Sequence, residues 1–200
     1  MPTAIARFEA SLRAHADDFN VTLDAKTVAG LSAYYTLLMK WNARLHLVAP
    51  CTPEEFATRH VLESLILVPH IRKTASVVDV GSGGGLPMIP LLVARPDLKG
   101  TLIESSQKKA IFLREALRAV FRNATVINER FEGVTSLEAD YVTCRALERL
   151  RQKLPSLLDR RQTTTLIFGG DALREELEQL GRTYTSVRIP SSMRRYLFVV

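Results

Sequence analysis

Three valines, Val77, Val78 and Val80, run into four glycines within five positions, Gly81, Gly83, Gly84 and Gly85. β-Branched residues bounded by turn residues predict a short buried strand over 76–80. Leu86 to Val93 then resumes an apolar pattern suited to a helix, with Pro87 near its first turn, where a missing N–H costs little. Strand, glycine turn and helix start open a nucleotide-binding α/β unit. The dinucleotide fingerprint requires a third glycine at position 86, where Leu86 stands, and no P-loop lysine follows. What remains is D-x-G-x-G-x-G, from Asp79 through Gly81, Gly83 and Gly85. Glycine has no Cβ, so this backbone can turn sharply and pass close to a ligand. A glycine turn that holds no ligand is the alternative.

A second feature favours a ligand. Thr101-Leu102-Ile103 reads as the next strand and ends in Glu104. An acidic group about 20 residues past the glycines meets ribose hydroxyls in nucleotide-binding folds. The glycine pattern resembles motif I of the Rossmann-like S-adenosylmethionine-dependent methyltransferases, whose cofactor carries no phosphate. On that resemblance Asp79, Gly81, Ser82, Gly83, Gly85, Leu86 and Glu104 are expected around the cofactor.

From Ser76 onward, strand and helix patterns alternate, the signature of a mostly parallel sheet. Strands are predicted near 76–80, 100–104, 124–128, 139–143, 164–168, 184–189 and 195–200, with helices near 87–94, 106–121, 147–158 and 171–180. The adjacent final pair, connected around Pro190-Ser191-Ser192, suits a hairpin that inserts one antiparallel strand. Upstream, helical spacing is predicted over 3–19, from Asp24 to Leu45, from the capping box Thr52-Pro53-Glu54-Glu55, and on from His60 to Ile71. The expected organisation is therefore a helical extension over 1–74 packed on an α/β core over 75–200.

The 200 residues carry 27 basic and 21 acidic side chains, a net charge of +6, which favours a polyanionic partner such as nucleic acid. Cys51 and Cys144 form no metal or disulfide pattern, and the four histidines add no metal spacing. There is no signal-peptide pattern and no apolar run of membrane-spanning length, so a cytoplasmic monomer is expected.

Several local sequences sharpen the resemblance: Lys40-Trp41-Asn42, Thr58-Arg59-His60 with Glu63-Ser64-Leu65, Gly85-Leu86-Pro87, Arg95-Pro96, Lys108-Lys109 with Phe112-Leu113-Arg114, and Val142-Thr143-Cys144-Arg145-Ala146. In this order they resemble the RsmG (GidB) family of bacterial ribosomal RNA methyltransferases. The resemblance implies a class I methyltransferase fold and methylation of guanine N7 in the 530 loop of 16S rRNA, with the rRNA or a small-subunit precursor as partner. It also implies cofactor contacts at Phe131, Glu132 and Arg145. Glu104 stands where the family commonly has Asp, Met88 where it has Gly, Gly169 where it has Lys, Cys144 where it has Ser, and His46-Leu47-Val48 where Asn-Leu-Thr is usual.

Guanine N7 has a lone pair and no proton to lose, so the transfer requires alignment and no general base. No catalytic base is expected, and Arg145 is expected to position cofactor or a phosphate. Lys108 and Lys109, in a helix first turn that disfavours cations, are candidate RNA contacts, as are Arg59, His60, Arg194 and Arg195. Arg114, Arg118 and Arg122 read as a solvated helix face, and Trp41 as core packing. A small-molecule methyltransferase on the same fold and a catalytically silent RNA-binding module are the competing functions.

Overall fold

The computed structural model describes residues 2–134, 138–145, 150–159, 163–190 and 192–200. The first third is helical: α1 (Ala4–His15), α2 (Ala25–Leu45), α3 (Pro53–Glu55) and α4 (Glu63–Leu65), the last two joined by π-helical turns over Phe56–Leu62. The sheet region follows as β1 (Ser76–Val80), α5 (Met88–Ala94), β2 (Lys99–Ile103), α6 (Gln107–Ala119), β3 (Thr125–Ile127), β4 (Tyr141–Arg145), α7 (Leu150–Leu158), β5 (Thr164–Gly169), α8 (Asp171–Gln179), β6 (Thr185–Arg188) and β7 (Tyr196–Val199). Ala146 and the start of the helix predicted over 147–158 lie outside the described residues, as does Ser191 of the hairpin connection.

The seven strands form one sheet in the order β3-β2-β1-β4-β5-β7-β6. β7 runs antiparallel to both its neighbours, and the other pairs are parallel. The predicted seven-stranded, mostly parallel α/β architecture, with an antiparallel strand set into one side, is therefore the fold observed. The chain reverses its direction of winding between β1 and β4, which makes the carboxyl ends of those strands the place where such sheets open a crevice.

Among the boundaries that differ from expectation, two do so for local reasons. The first helix stops at His15, because Asp17–Phe19 tighten into a 3₁₀ turn that Asn20 closes at φ 54°; asparagine tolerates this left-handed conformation. The fourth strand begins two residues late, at Tyr141. The Asp140 carboxylate instead accepts from the Ser76 N–H and the Ser76 hydroxyl, both at 2.8 Å, and so ties the start of β1 to the turn before β4.

Alternation along β1 decides what covers each face. Val77 faces a core filled by α1, α2, the π-helical turns, α5 and α6, whereas Val78 and Val80 face α7 and α8. The helical extension shares the first of these cores with the sheet. Phe8 stacks on Tyr35 with ring centroids 4.5 Å apart, and Phe56 packs against Phe8, Tyr34 and Tyr35. Trp41 packs at 5.9 Å from Phe112 of α6, as its sequence reading anticipates.

The predicted solvated face of α6 is not wholly solvated. Arg122, just beyond the helix, donates from Nε to the Leu92 carbonyl at 2.8 Å and from Nη2 to the Val93 carbonyl at 3.2 Å. It thereby caps the end of α5, where unpaired carbonyls favour a cation. Arg122→Ala is expected to cost about 2 kcal/mol, since hydrogen bonds to charged groups contribute roughly 1.5–3 kcal/mol. A lower urea midpoint at unchanged m-value would register it.

Candidate functional site

The glycine turn after β1 is held from below and from the side. The Gly81 and Ser82 N–H groups both donate to the Ile103 carbonyl at the end of β2, at 2.9 and 3.0 Å. Gly81, Gly83 and Gly85 adopt φ of 73°, 52° and 84°, left-handed values that explain the glycines. From the extension, the buried Tyr34 hydroxyl donates to the Gly84 carbonyl at 2.6 Å. That brace joins residues 50 positions apart, and nothing in the local pattern announces it.

Glu104 follows β2 and is buried. Its Oε2 accepts from the Gly83 N–H at 2.8 Å and its Oε1 from the Ser106 N–H at 2.7 Å. The acidic strand end thus fixes the glycine turn from inside the protein. A carboxylate offers about four lone-pair sites, so two remain for hydroxyls of a ligand.

These elements wall a cavity of about 830 Å³. Small-molecule sites span roughly 300–1,000 Å³, so the volume admits an adenosyl group with space to spare. Gly81, Ser82, Gly83 and Leu86 form its floor, and Glu104, Ser106 and Lys109 its second side. Phe131 and Glu132, in a 3₁₀ turn after β3, form the third. A Cβ at Gly83 would meet only the Gly81 carbonyl oxygen, at 3.7 Å, so a side chain there would enter the open cavity. The extension adds Leu47, Val48 and His60 to the lining, beside Arg145 at the end of β4. A glycine floor, an acidic side with spare acceptors and an apolar wall fit an adenosyl cofactor.

Other predicted residues lie elsewhere. Asp79 does not line the cavity; its carboxylate is fully buried under the turn, and both oxygens lack a hydrogen-bond partner. Gly85 faces inward, where a Cβ would come within 2.4 Å of Ile89 Cδ1, so it shapes the turn without presenting a surface. Lys108 is exposed outside the cavity, unlike its neighbour Lys109.

Arg145 lines the cavity, and both Arg145 and Arg195 also have partners within the protein. Arg145 donates to the Arg59 carbonyl at 2.7 Å and the His60 carbonyl at 3.3 Å, and its Nη2 lies 3.1 Å from Glu63 Oε1. Arg195 donates to the other Glu63 oxygen at 2.5 Å. Glu63 is only 2% exposed, so one buried carboxylate ties β4, β7 and the extension together. Arg195 Nε and Nη1 are thus engaged within the protein, as is the guanidinium of Arg145. Arg59 and Arg194 keep exposed side chains.

Of the sequence departures, Val48 and Glu104 line the cavity, and Met88, Cys144 and Gly169 do not. Met88 is fully buried in the core, and a Cβ at Gly169 would sit 2.5 Å from Leu173 Cδ2. Cys144 is buried, and burial pushes its thiol up to about 12, which removes it as a nucleophile. Among the described residues no group of His, Cys, Asp and Glu is arranged to hold a metal ion.

Two groups, the half-buried His60 and the buried Asp79, titrate in opposite senses. Burial, with Arg145 and Arg59 nearby, lowers His60 from 6.5 to about 4, so between those values the unfolded chain binds a proton that the folded chain lacks. Its contribution to stability is lost as pH falls through that window. Burial, with Glu104 adding to it, raises Asp79 from 3.8 to about 7, so the folded chain holds the extra proton and stability falls as pH rises. The slopes oppose each other between about pH 4 and 6.5. His60→Gln is expected to leave stability falling with pH over that range, and Asp79→Asn to leave it rising. Urea unfolding across the window distinguishes the two signs.

The fold recurs in solved methyltransferases. A methyltransferase from Pyrococcus furiosus superposes with a TM-score of 0.60 at 13% identity, over 84% of this chain and 95% of that one. The precorrin-6y C5,15-methyltransferase from Geobacter metallireducens superposes with a TM-score of 0.56 at 18% identity, over 69% and 86%. At these identities the likeness is one of fold. Sequence relatives are closer. The ribosomal RNA small subunit methyltransferase G of Xanthomonas campestris pv. campestris strain B100 is 47% identical over 131 residues, 64% of this chain and 61% of the relative. That of Xanthomonas axonopodis pv. citri is 43% identical over 151 residues, 74% and 68%. The match to the first of these thus spans about three fifths of that relative's length. The GidB family, rRNA small subunit methyltransferase G, matches residues 27–195, a span that takes in the glycine turn, Glu104, Glu63 and both arginines. The chain belongs to the rRNA small subunit methyltransferase G family.

Proposed function

We propose that the chain transfers the methyl group of S-adenosylmethionine to N7 of a guanine in the 530 loop of 16S rRNA, as a cytoplasmic monomer. The observation that carries this reading is the cavity in which Glu104 braces the turn at Gly83 while keeping acceptor capacity for ribose hydroxyls. When bound, the cofactor supplies an activated methyl group. Gly81, Ser82, Gly83 and Leu86 would hold the adenosyl group, Glu104 would accept from its ribose hydroxyls, and Phe131 and Glu132 would complete the site. Arg145, held by Glu63 and the carbonyls of Arg59 and His60, keeps the cavity end fixed, so alignment costs nothing at the moment of transfer. No side chain needs to remove a proton.

Lys109 at the cavity rim, with the exposed Lys108, Arg59 and Arg194, would meet RNA phosphates. Met88 and Gly169 are not among the residues that line the cavity, and a catalytically silent module would bind no cofactor. Calorimetry with S-adenosylmethionine tests the cavity, and N7-methylguanosine mapping on rRNA with and without the gene tests the target. Saturable cofactor binding and a modification that follows the gene are expected. A protein that binds no cofactor, or rRNA methylated without the gene, would overturn the reading.

A further inference from the structure

The parallel strands point their carboxyl ends toward the cavity, and β6 ends and β7 begins at that same edge, since Arg188 and Gly169 both pair with Tyr196. The connection between β6 and β7 therefore lies at the same edge of the sheet as the cavity. β7 lies two strand positions from β4, a lateral distance of roughly 10 Å at the usual sheet spacing.

The base of this connection is firmly built. Ile189 is buried, and its N–H donates to the Arg195 carbonyl at 2.9 Å. The Arg195 N–H and Nε both donate to the Ser192 hydroxyl, at 3.1 and 3.2 Å, while its Nη1 reaches Glu63. A Cβ on Gly170 would come within 2.8 Å of the Arg194 carbonyl oxygen, so the connection lies directly against the β5–α8 turn. On that base stands Met193, 84% exposed, next to the exposed Arg194 and with the exposed Arg188 at the end of β6. The connection thus presents a large apolar side chain flanked by cations at the same sheet edge as the cavity.

That combination suits RNA in particular. Exposed apolar side chains such as methionine wedge against bases and unstack them, and arginines beside them take the phosphates. A guanine whose N7 is to meet a cofactor in a cavity must leave its stack, at a cost of a few kcal/mol. Resting on the rRNA reading above, we propose that the β6–β7 hairpin docks the strand flanking the target guanine, with Met193 against a base and Arg194 on a phosphate. The Glu63 ion pairs to Arg195 and Arg145 then set the distance between this docking point and the cavity wall.

Fluorescence anisotropy with a labelled RNA hairpin containing the 530-loop sequence, and with an unstructured RNA of the same length, tests the proposal on the full chain. Met193→Ala is expected to weaken binding to the hairpin about tenfold while sparing the unstructured RNA, where no stack has to be opened. Arg194→Ala is expected to weaken both and to reduce the slope of log affinity against log salt by about 0.7–0.9, the value of one phosphate; Arg194→Lys restores the slope. Adenosylmethionine affinity by calorimetry and the thermal midpoint stay at wild-type values, since both side chains are exposed. A double Met193→Ala, Arg194→Ala variant that binds both RNAs within twofold of wild type would overturn the hairpin's role while leaving the rRNA reading standing. A wild-type protein that binds adenosylmethionine but neither RNA would overturn the hairpin's role, and methyl transfer to assembled subunits then decides the rRNA reading.

Discussion

Glu104→Ala is expected to weaken S-adenosylmethionine binding by about 100-fold. The carboxylate holds the Gly83 N–H at 2.8 Å and the Ser106 N–H at 2.7 Å in a buried position, and the proposed ribose contacts use its remaining lone pairs. Removing it leaves two backbone donors unpaired, frees the glycine turn to relax, and deletes the acceptor for the ligand. Hydrogen bonds to charged groups contribute roughly 1.5–3 kcal/mol each, so a net loss of about 3 kcal/mol, or two decades in Kd, is a conservative sum. Glu104→Gln keeps one carbonyl acceptor and should fall between the two. Glu104→Asp, the residue common in the family, should remain within tenfold, because both charge and acceptors persist. Calorimetry on the four proteins gives the order directly. An alanine variant that binds like wild type would mean that the acidic strand end serves the turn alone.

The largest effect on stability is expected at Glu63. Its two oxygens meet Arg145 at 3.1 Å and Arg195 at 2.5 Å, and Glu63 is almost wholly buried. Breaking a buried ion pair by removing one partner costs about 3–5 kcal/mol, because the surviving charge stays desolvated. Glu63→Ala strands two guanidiniums. Arg195 is partly exposed and can turn outward, whereas Arg145 has a side chain only 14% exposed and carbonyl partners that keep it in place. The lower end of that range, about 3 kcal/mol, is therefore expected; at roughly 2–4 °C per kcal/mol the midpoint should fall about 6–12 °C. Glu63→Ala combined with Arg145→Met should recover part of the loss, since an apolar replacement no longer buries a charge. A single variant that melts within a degree or two of wild type would show that the three groups do not act as one unit.

What the sequence made legible follows the range of the interactions. The glycine turn, the helix caps and the strand alternation are local, so their residues sit within a few positions of one another. Asp24 and Thr52 cap α2 and α3 as their patterns predict, and the acidic residue at the end of the second strand lies beside the turn as its spacing predicts. The braces that complete the site are distant in sequence. Tyr34 and Gly84 are separated by 50 positions, Arg145 and Arg59 by 86, Arg195 and Glu63 by 132. No periodicity encodes such pairs, because they exist only once the extension packs on the sheet. For the same reason the sequence offers Arg145 and Arg195 as ligand contacts but hides the protein partners that their donors also meet. The π-helical turns over Phe56–Leu62 were equally hidden. Their residues are ordinary helix formers, and the wider winding presents the Arg59 and His60 carbonyls to Arg145.

The most direct measurement is methyl transfer itself. Small ribosomal subunits and deproteinised 16S rRNA, both from cells lacking the gene, are incubated with the purified chain and methyl-labelled S-adenosylmethionine, and the labelled nucleotide is mapped after digestion. Stoichiometric label on a single guanine of the 530 loop, as N7-methylguanosine, and its loss with Glu104→Ala are expected. Label absent from both substrates, from a protein that binds the cofactor, would contradict the proposed reaction.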